Sequence, residues 1–443
     1  MEHSDGASTP GLRIVVQNGE YWLSNKGDLA MLAVTVRRLQ ERWPQARIGV
    51  LTSAPLLLRG FAPGTEPISD SGAGGWPGKP ALGRLAERAG PRIVGPASVA
   101  WLTGREVPRR YARRIARMLR PAGGSTGSTR SGTDTVALRH ASLVLAMGGG
   151  YFTDVDPEQA HRTLDLLEYA VRNGIPAAMV GQGLGPVEDP GLLARASEVL
   201  PKVDLIALRE GLRGPELLAR LGVPGDRVVV TGDDAIELGY GVRSAVPGNG
   251  IGICLRVAGY SPVAAATKDA VGQSVRGFAS RMGAALVPLI ISEYRSEDRR
   301  STLPLVAGYP NAVRALGRYV TPYATAGQVS RCQILVTGAY HLAVFALSQG
   351  IPVVGLSSSR YYDDKFLGLD AMFGGGGLEL VRLDEPDLGT RLDAAVEAAW
   401  ERAPRVREPL RERARSQIEA SRQGFARVFD LVESRMPGPD RIR

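Results

Sequence analysis

The sequence predicts an α/β fold of two separately wound parallel sheets, followed by a long charged helix. Short apolar runs alternate with amphipathic helical segments along most of the chain, as in parallel sheets with crossover helices. The segment 242–249 (VRSAVPGN) interrupts this alternation, and a second series begins after it. The length of 443 residues is too great for one typical domain and suits two.

The first series is expected over 12–241, after a disordered tail at 1–11. Its strand candidates are 13–17, 48–51, 142–146, 177–180, 205–208 and 228–231. Helical patterns begin at Asp28 and cover 157–173, 192–200 and 213–221. Residues 121–134 are rich in glycine and serine, which is typical of a mobile surface loop inside a domain.

The second series is expected over 250–403, after a linker at 242–249. Its strand candidates are 251–255, 286–291, 334–336, 353–356 and 378–383, with a helix over 262–282. The helical pattern of the last part of the chain starts near 388. We take 404–443 as a C-terminal helix that lies outside the second domain.

Composition narrows the class of protein. The hydrophobic share of 44% is ordinary for a globular protein, and no apolar run approaches the roughly 20 residues that span a bilayer. The first residues lack the basic start and apolar stretch of a secretory signal, so we expect a cytoplasmic protein. Cys254 and Cys332 stand in apolar segments without a Cys/His cluster, which predicts buried side chains and neither a disulfide framework nor a metal site.

The formal net charge of +9 arises largely from two arginine-rich stretches, 105–120 and 402–415. In the first, apolar side chains recur at helical spacing with arginines on the other faces, which favours a solvated helix. A nucleic-acid or membrane-surface helix is the other interpretation. No recognised nucleic-acid module accompanies the stretch, so we expect no nucleic-acid partner. The positive excess favours anionic substrates, because a basic cleft concentrates them.

Ligands of open parallel sheets bind at the carboxyl ends of the strands, so the strand-to-helix junctions are the candidate site. The first junction is Asn25-Lys26-Gly27-Asp28, which opens a helix. Its backbone N–H groups suit an anion, and its Asn and Asp side chains equally suit capping of the helix. Asn25, Gly27 and Asp28 are therefore substrate-binding candidates, with both interpretations open.

Two glycine-rich junctions follow. The run Gly148-Gly149-Gly150-Tyr151 comes after a buried strand, where glycine permits a ligand close to the backbone, although such a run is also typical of a plain turn. The run GQGLGP at 181–186 follows the next strand, and the amide of Gln182 is predicted to bind a sugar hydroxyl. The substrate-binding candidates at these junctions are Gly148, Gly149, Gly150, Tyr151, Gln182 and Gly183.

In the second series, His341 stands where a strand gives way to an apolar helix, at the edge expected to face a ligand. A buried structural histidine is the alternative. Lys365 lies beside two aspartates in the run SSSRYYDDKF, which is also typical of a solvated helix start. Arg256, after the first strand of this series, and Tyr340, beside the histidine, complete the substrate-binding candidates.

Taken in order, these segments resemble the polysaccharide pyruvyl transferase family, over roughly residues 13–375. The motifs that carry the resemblance are Asn25-Lys-Gly-Asp28, Gly148-Gly-Gly150, Gly181-Gln-Gly-Leu-Gly-Pro186, Leu208-Arg-Glu210, Thr231-Gly-Asp-Asp234, His341 and Lys365. The family is similar in fold to the two-domain glycosyltransferases called GT-B. The resemblance implies two Rossmann-like domains that face a central cleft, with the C-terminal helix packed back toward the N-terminal domain.

The resemblance also implies a reaction. Members of the family move an enolpyruvyl unit from phosphoenolpyruvate onto two hydroxyls of a sugar and form a cyclic ketal. A proton must reach the methylene carbon of the donor, and the imidazole of His341 suits this transfer. Arg209 is implied to hold the anionic donor bidentately and Lys365 as a point charge, so these three are the catalytic candidates. No cofactor is implied beyond the donor, and the implied acceptors are nucleotide-linked or lipid-linked sugars or glycan ends.

One departure from the family pattern bears on the donor. Family members commonly carry arginine two positions before the histidine, where this chain has Ala339. A glycosyltransferase of the same fold that uses a nucleotide sugar, acting on a small secondary metabolite, is therefore the second hypothesis. A non-catalytic glycan- or nucleotide-binding relative is the third, and retention of Arg209, His341 and Lys365 argues against it. The partners expected are an anionic donor and a sugar-containing acceptor, and a homo-oligomer is compatible with the sequence.

Overall fold

The computed structural model describes residues 11–69, 75–78, 80–98, 100, 136–257, 263–293 and 297–436. Within them the chain forms two sheets of parallel strands, one in each half. Residues 1–10 of the tail predicted at 1–11, the basic stretch at 105–120 and the glycine-rich loop at 121–134 lie outside the described residues. No helix of the described residues is both long enough and apolar enough to cross a membrane.

In its described residues, the N-terminal half is built on eight parallel strands. They are β1 (Arg13–Gln17), β2 (Arg47–Thr52), β3 (Glu66–Ser69), β4 (Leu143–Ala146), β5 (Gly149–Phe152), β6 (Ala177–Leu184), β7 (Leu205–Leu208) and β8 (Val228–Val230). Their order across the sheet is β3-β2-β1-β4-β6-β7-β8, with β5 beside β6. The helices of this half are α1 (Lys26–Arg42), α2 (Pro55–Phe61), α3 (Ala81–Ala89), α4 (Pro157–Arg172), α5 (Pro190–Val199), α6 (Gly214–Arg220) and α7 (Ala235–Gly241).

The C-terminal half holds five parallel strands, and residues 242–249 join it to the first half. The strands are β9 (Gly250–Cys254), β10 (Leu286–Pro288), β11 (Cys332–Thr337), β12 (Val353–Ser357) and β13 (Leu378–Arg382), in the order β10-β9-β11-β12-β13. The helices are α8 (Ala265–Met282), α9 (Glu297–Val306), α10 (Pro322–Val329), α11 (Tyr340–Ser348), α12 (Arg360–Met372) and α13 (Leu388–Ser434). Strands such as β4, β9 and β12 are buried along their whole length, because helices cover both faces of a parallel sheet.

Three helices begin with a capping side chain followed directly by proline. Asp156, Asp189 and Thr321 each accept a hydrogen bond from a backbone N–H of the first helical turn, and proline occupies the next position. Proline suits the first position of a helix, because its fixed φ is helical and no N–H is needed there. Helix α1 starts on Asn25 instead, whose side chain accepts from the N–H of Gly27 at 2.9 Å.

Helix α13 is 47 residues long and starts at Leu388, so the boundary that we placed between 403 and 404 falls inside it. The helix contains two prolines, and the helical path continues through both. Its second half packs on the N-terminal half of the molecule. Arg38 of α1 donates to Ser421 at 2.7 Å, and Trp43 donates to Glu433 at 3.0 Å.

The start of α1 connects the two halves. The N–H of Lys26 donates to the carbonyl of Ile291 at 2.9 Å, and the N–H of Glu293 donates to Ser24 at 3.0 Å. Buried ammonium and carboxylate groups of Lys26 and Glu293 form an ion pair at 3.3 Å. The predicted strand at 286–291 therefore ends at Pro288, because the residues after it leave the sheet and bind the first half.

Candidate active site

A cavity of about 370 Å³ lies between the two halves, at the carboxyl ends of their strands. Ten of the fourteen residues predicted for the site line it. They are Asn25, Asp28, Gly149, Gly150, Tyr151, Arg209, Arg256, Tyr340, His341 and Lys365. The other four predicted residues, Gly27, Gly148, Gln182 and Gly183, do not line the cavity. The structure thus brings the three catalytic candidates together from β7, α11 and α12.

Two of the predicted glycines make room for catalytic candidates. A Cβ at Gly27 would lie 2.5 Å from Cβ of His341 and nearer still to its ring, and a Cβ at Gly183 would lie 2.6 Å from Cζ of Arg209. Carbon atoms in ordinary contact are roughly 3.5–4.0 Å apart, so no larger residue fits at either position without displacing these side chains. This corrects the prediction of a bound ligand at Gly27, because the ring of His341 occupies the space that this glycine leaves. At Gly183 the side chain of Arg209 lies beside the glycine, and a contact between Gly183 and a ligand stays a prediction.

Arg209 follows β7 and is held in a fixed orientation. Its side chain is 3% exposed, and Cζ lies 4.1 Å from the centroid of the Tyr340 ring. Its Nη1 lies 3.6 Å from Oδ2 of Asp233. Stacking on an aromatic ring and a neighbouring carboxylate fix the plane of a guanidinium, which prepares it for bidentate binding of an anion.

Lys365 lies next to Arg209, and the two cations meet above Gly150. A Cβ at Gly150 would lie 2.7 Å from Cε of Lys365 and 3.0 Å from Nη2 of Arg209. The ammonium donates to the hydroxyl of Tyr361, which donates to the carbonyl of Gly150 at 2.7 Å. In the part of the chain that the structure describes, no ion pair joins Lys365 to a carboxylate. Burial, and then the charge of Arg209, lowers the pKa of Lys365 well below its usual value. An anion bound between the two cations would relieve their repulsion.

His341 is the second residue of α11, and its ring packs on Gly27. Its Nε2 lies 3.7 Å from Oδ2 of Asp233, and neither atom has a hydrogen-bond partner among the described residues. Burial, followed by the charges of Arg209 and Lys365, lowers the pKa of His341 well below its usual value. The imidazole is therefore neutral near pH 7, a state that accepts a proton more readily than it gives one.

Asp28 and Asn25, the polar residues of the first junction, differ in what they contact. Asn25 caps α1, whereas the carboxyl of Asp28 faces the cavity and has no hydrogen-bond or ion-pair partner in the described residues. Burial, and then the charge of Glu20, raises the pKa of Asp28 to about 7. Of the two interpretations left open by the sequence, capping holds for Asn25, and Asp28 remains available to a substrate.

Residues of the glycine-rich junctions contact the protein's own backbone more than the prediction of substrate binding implied. Gln182 is fully buried, and its amide donates to two carbonyls at the end of β4, at 3.0 and 2.8 Å. This corrects the prediction that Gln182 binds a sugar, because its amide N–H groups are used inside the sheet. A Cβ at Gly148 would lie 3.0 Å from the carbonyl carbon of Gly181, so Gly148 allows close approach of two backbone segments. The residues after it form strand β5, which places the ring of Tyr151 on the cavity wall.

Arg256 supplies a further guanidinium to the cavity, from the end of β9. It forms ion pairs with Asp298 at 3.0 Å and with Glu297 at 3.3 Å. Ala339 lines the same cavity from the end of the neighbouring strand, β11. Position 339 thus supplies only a methyl group to the cavity wall, and Arg256 supplies a guanidinium from the neighbouring strand end.

Three residues that shape the site had no role in the predictions. Asp233 lies between Arg209 and His341, and burial raises its pKa to about 6. Glu20 accepts hydrogen bonds from the N–H groups of Ser24 and Asn25 at 2.7 and 2.9 Å, and so fixes the loop before α1. Tyr361 holds the ammonium of Lys365. Two of the three had a signal in the sequence. Asp233 belongs to the motif Thr231-Gly-Asp-Asp234, and Tyr361 lies four residues before Lys365, where helical side chains are neighbours.

A second cavity of about 170 Å³ lies beside the first. Arg209, Tyr340 and Lys365 line both cavities and therefore separate them. The other walls of the second cavity include residues 183–188 and two arginines of the α6 region, Arg213 and Arg220. The paired cations thus lie where two adjoining volumes meet, an arrangement with room for two substrates.

No group of three or more His, Cys, Asp or Glu side chains in the described ranges is arranged to hold a metal ion. The expectation of a metal-free site stays a prediction.

Comparisons with known proteins support the fold and identify a family. The family model described as polysaccharide pyruvyl transferase matches residues 25–360. A search of the curated proteins found no match. Among solved structures, the chain is similar to UDP-GlcNAc 2-epimerase from Neisseria meningitidis bound to UDP-GlcNAc, at 13% identity and a TM-score of 0.54, over 95% of this chain and 100% of that chain.

Two further structures show the same likeness. The S. aureus MnaA–UDP co-structure is 13% identical with a TM-score of 0.55, over 96% of this chain and 99% of that chain. The glycotransferase of kitacinnamycin is 14% identical with a TM-score of 0.50, over 97% of this chain and 100% of that chain. At such identities the likeness shows the fold alone. The predicted GT-B-like fold with two Rossmann-like domains and a long C-terminal helix is confirmed.

Proposed function

The chain belongs to the polysaccharide pyruvyl transferase family, and from this premise we propose that it transfers the enolpyruvyl unit of phosphoenolpyruvate onto two hydroxyls of a sugar. The observation that carries the proposal is the pair of adjacent cations, Arg209 and Lys365, above Gly150. Phosphoenolpyruvate carries a phosphate and a carboxylate on one carbon. Two cations side by side, one buried and one partly buried, suit such a ligand, because each can bind one of its anionic groups.

The proton-transfer residue in this proposal is His341. The transfer adds two hydroxyls to one carbon, and each hydroxyl loses its proton as the new C–O bond forms. A neutral imidazole beside the paired cations accepts such a proton. Asp233, 3.7 Å away, stabilises the imidazolium that results. The sequence-based role of His341, protonation of the methylene carbon, suits a neutral imidazole less well, because a neutral ring is a weak acid.

A nucleotide-linked sugar is the acceptor class that we propose. The two adjoining cavities give a donor and a larger acceptor separate volumes on either side of the cations. The fold neighbours include structures bound to UDP and to UDP-GlcNAc, which supports a nucleotide portion in a chain of this fold. The wall of the second cavity carries guanidinium groups at Arg213, which is paired with Asp364 at 3.1 Å, and at Arg220, and we assign the diphosphate of the acceptor to these groups.

Ala339 supports a second candidate function. A donor site without the family arginine has less positive charge for a doubly anionic donor, so a glycosyltransferase that takes a nucleotide sugar as donor is the alternative. The two candidates differ in what leaves the donor. The first releases inorganic phosphate from phosphoenolpyruvate, and the second releases a nucleoside diphosphate.

The test is a steady-state assay with phosphoenolpyruvate and a panel of acceptors, namely UDP-GlcNAc and the methyl glycosides of glucose, galactose and mannose. We expect release of inorganic phosphate and a carboxyethylidene ketal of the acceptor, identified by mass spectrometry. Release of UDP from UDP-GlcNAc, without phosphate release from phosphoenolpyruvate, would instead support the glycosyltransferase.

A further inference from the structure

Ketal formation from phosphoenolpyruvate requires two proton carriers. The bond between C2 and the phosphate oxygen breaks, two bonds between C2 and sugar oxygens form, and the methylene carbon becomes a methyl group. Two hydroxyl protons are released in the process. One must reach the methyl carbon, and the other leaves with the phosphate as hydrogen phosphate. A group that gives a proton to carbon can recover one from a hydroxyl, while a second group passes the other proton to the phosphate.

Asp28 occupies a helix position that ordinarily has a structural use. It is the third residue after the N-cap, Asn25, and an acidic side chain there usually accepts a hydrogen bond from the N–H of the cap residue. In this chain that N–H donates to Glu20 at 2.9 Å. The carboxyl of Asp28 is thereby released from capping and lies on the wall of the cavity without a hydrogen-bond or ion-pair partner among the described residues.

Asp28 differs from a solvated surface acid because its side chain lies on the wall of the cavity. The ring of His341 packs on the adjacent residue, Gly27, and the carboxyl and the imidazole line the same cavity. The charged groups that act on the carboxyl are Glu20 and Asp233, which disfavour its ionisation, and Lys365 and Arg209, which favour it. Burial is the largest influence, and the pKa of about 7 leaves both protonation states populated near neutral pH.

From this geometry we infer that Asp28 is a catalytic residue, the acid that protonates the methylene carbon of the donor, whereas His341 accepts a proton from an attacking hydroxyl. The inference rests on the proposed function. Protonated Asp28 gives its proton to the methylene carbon, and C2 becomes electron-poor. The first sugar hydroxyl attacks C2 and returns a proton to the carboxylate. The C2–phosphate bond then breaks, the second hydroxyl attacks, and His341 passes its proton to the departing phosphate.

The experiment compares full-length wild type with Asp28→Asn, Asp28→Glu and a matched control, Asp189→Asn. Asp189 caps α5 and lines neither cavity, although its neighbour Glu188 lines the second, and Asn is as good a cap as Asp, so the control should keep wild-type turnover. Phosphate release from phosphoenolpyruvate is measured with the acceptor that is fastest for the wild type. We expect kcat of Asp28→Asn to fall by about 10²–10⁴-fold, with partial recovery in Asp28→Glu.

A binding readout separates catalysis from donor affinity. Titration calorimetry with phosphoenolpyruvate, in two buffers of different ionisation enthalpy at about pH 8, reports protons taken up on binding. We expect Asp28→Asn to bind the donor at least as tightly as the wild type, since one negative charge is removed, and to take up fewer protons. Turnover by Asp28→Asn within about threefold of the wild type, or equal proton uptake, would overturn the role of Asp28 alone. A wild type that neither binds phosphoenolpyruvate nor releases its phosphate would overturn the proposed function itself.

Discussion

Replacing Gly27 with alanine should reduce catalysis far more than it reduces stability. The added Cβ would lie 2.5 Å from Cβ of His341 and nearer still to the ring, where ordinary contact needs roughly 3.5 Å. The backbone of α1 is fixed by its cap and by the second half of the molecule, so His341 must move by about 1 Å or more, and the start of α11 moves with it because the Cβ of His341 is itself within 2.5 Å. A displacement of that size costs roughly 100-fold in rate for a positioned catalytic group.

The expected effect of Gly27→Ala on stability is small because two contributions oppose each other. Alanine is favoured over glycine in a helix by about 1 kcal/mol. Overpacking against a buried side chain typically costs about 1–3 kcal/mol, so the net loss is at most about 2 kcal/mol and the protein stays folded.

The assay for Gly27→Ala is phosphate release under saturating phosphoenolpyruvate, together with thermal unfolding. Gly277→Ala is the matched control, because Gly277 lies within α8 and the nearest atom to its new Cβ is a terminal nitrogen of Arg281 at 3.9 Å. The control should keep wild-type kcat and gain stability. Wild-type kcat in Gly27→Ala would refute the reasoning that this glycine exists to seat the imidazole.

Three further predictions follow from the same site. Arg209→Lys keeps the charge but loses the fork, so calorimetry should show phosphoenolpyruvate affinity about 10-fold lower; unchanged affinity would place the anion elsewhere. Gln182→Ala should lower the free energy of unfolding by about 2 kcal/mol or more while the KM values stay unchanged, because buried carbonyls lose their donor; a raised KM with full stability would contradict the correction made above. Folded Asp28 has a pKa of about 7, above roughly 3.9 for an unfolded aspartate, so the folded state holds a proton that the unfolded chain releases between about pH 4 and 7. The free energy of unfolding should therefore fall as pH rises through that window, and Asp28→Asn should flatten this part of the profile in denaturant titrations.

The sequence predicts the fold well because its signals are local. Buried strands in a parallel sheet are continuous apolar runs, and the residues after them meet at one edge, so His341 and Lys365 could be assigned to a ligand-facing edge. The strand predicted at 286–291 is shorter in the structure, Leu286–Pro288, for a reason that no local pattern shows. Its last residues bind the start of α1, some 260 positions away in the chain.

The sequence predicted which strand-to-helix junctions form the site, but not which atoms contact one another there. The glycines at 27 and 183 were noticed, but a sequence does not state which atoms approach a glycine, and here they belong to His341 and Arg209. Gln182 has the chemistry of a sugar ligand, and its burial against β4 depends on packing that no local pattern encodes. Asp233 lies between Arg209 and His341, and these three residues come from separate parts of the chain, so only the folded structure shows that they are neighbours.

The most direct test of the account is a calorimetric titration of phosphoenolpyruvate into the wild type and into Lys365→Ala. The adjacent cations Arg209 and Lys365 are the proposed donor site, so the account predicts saturable one-site binding in the wild type, weakened at least 10-fold in the variant. Absence of binding in the wild type, or equal affinity in both proteins, would contradict the central claim that Arg209 and Lys365 hold phosphoenolpyruvate.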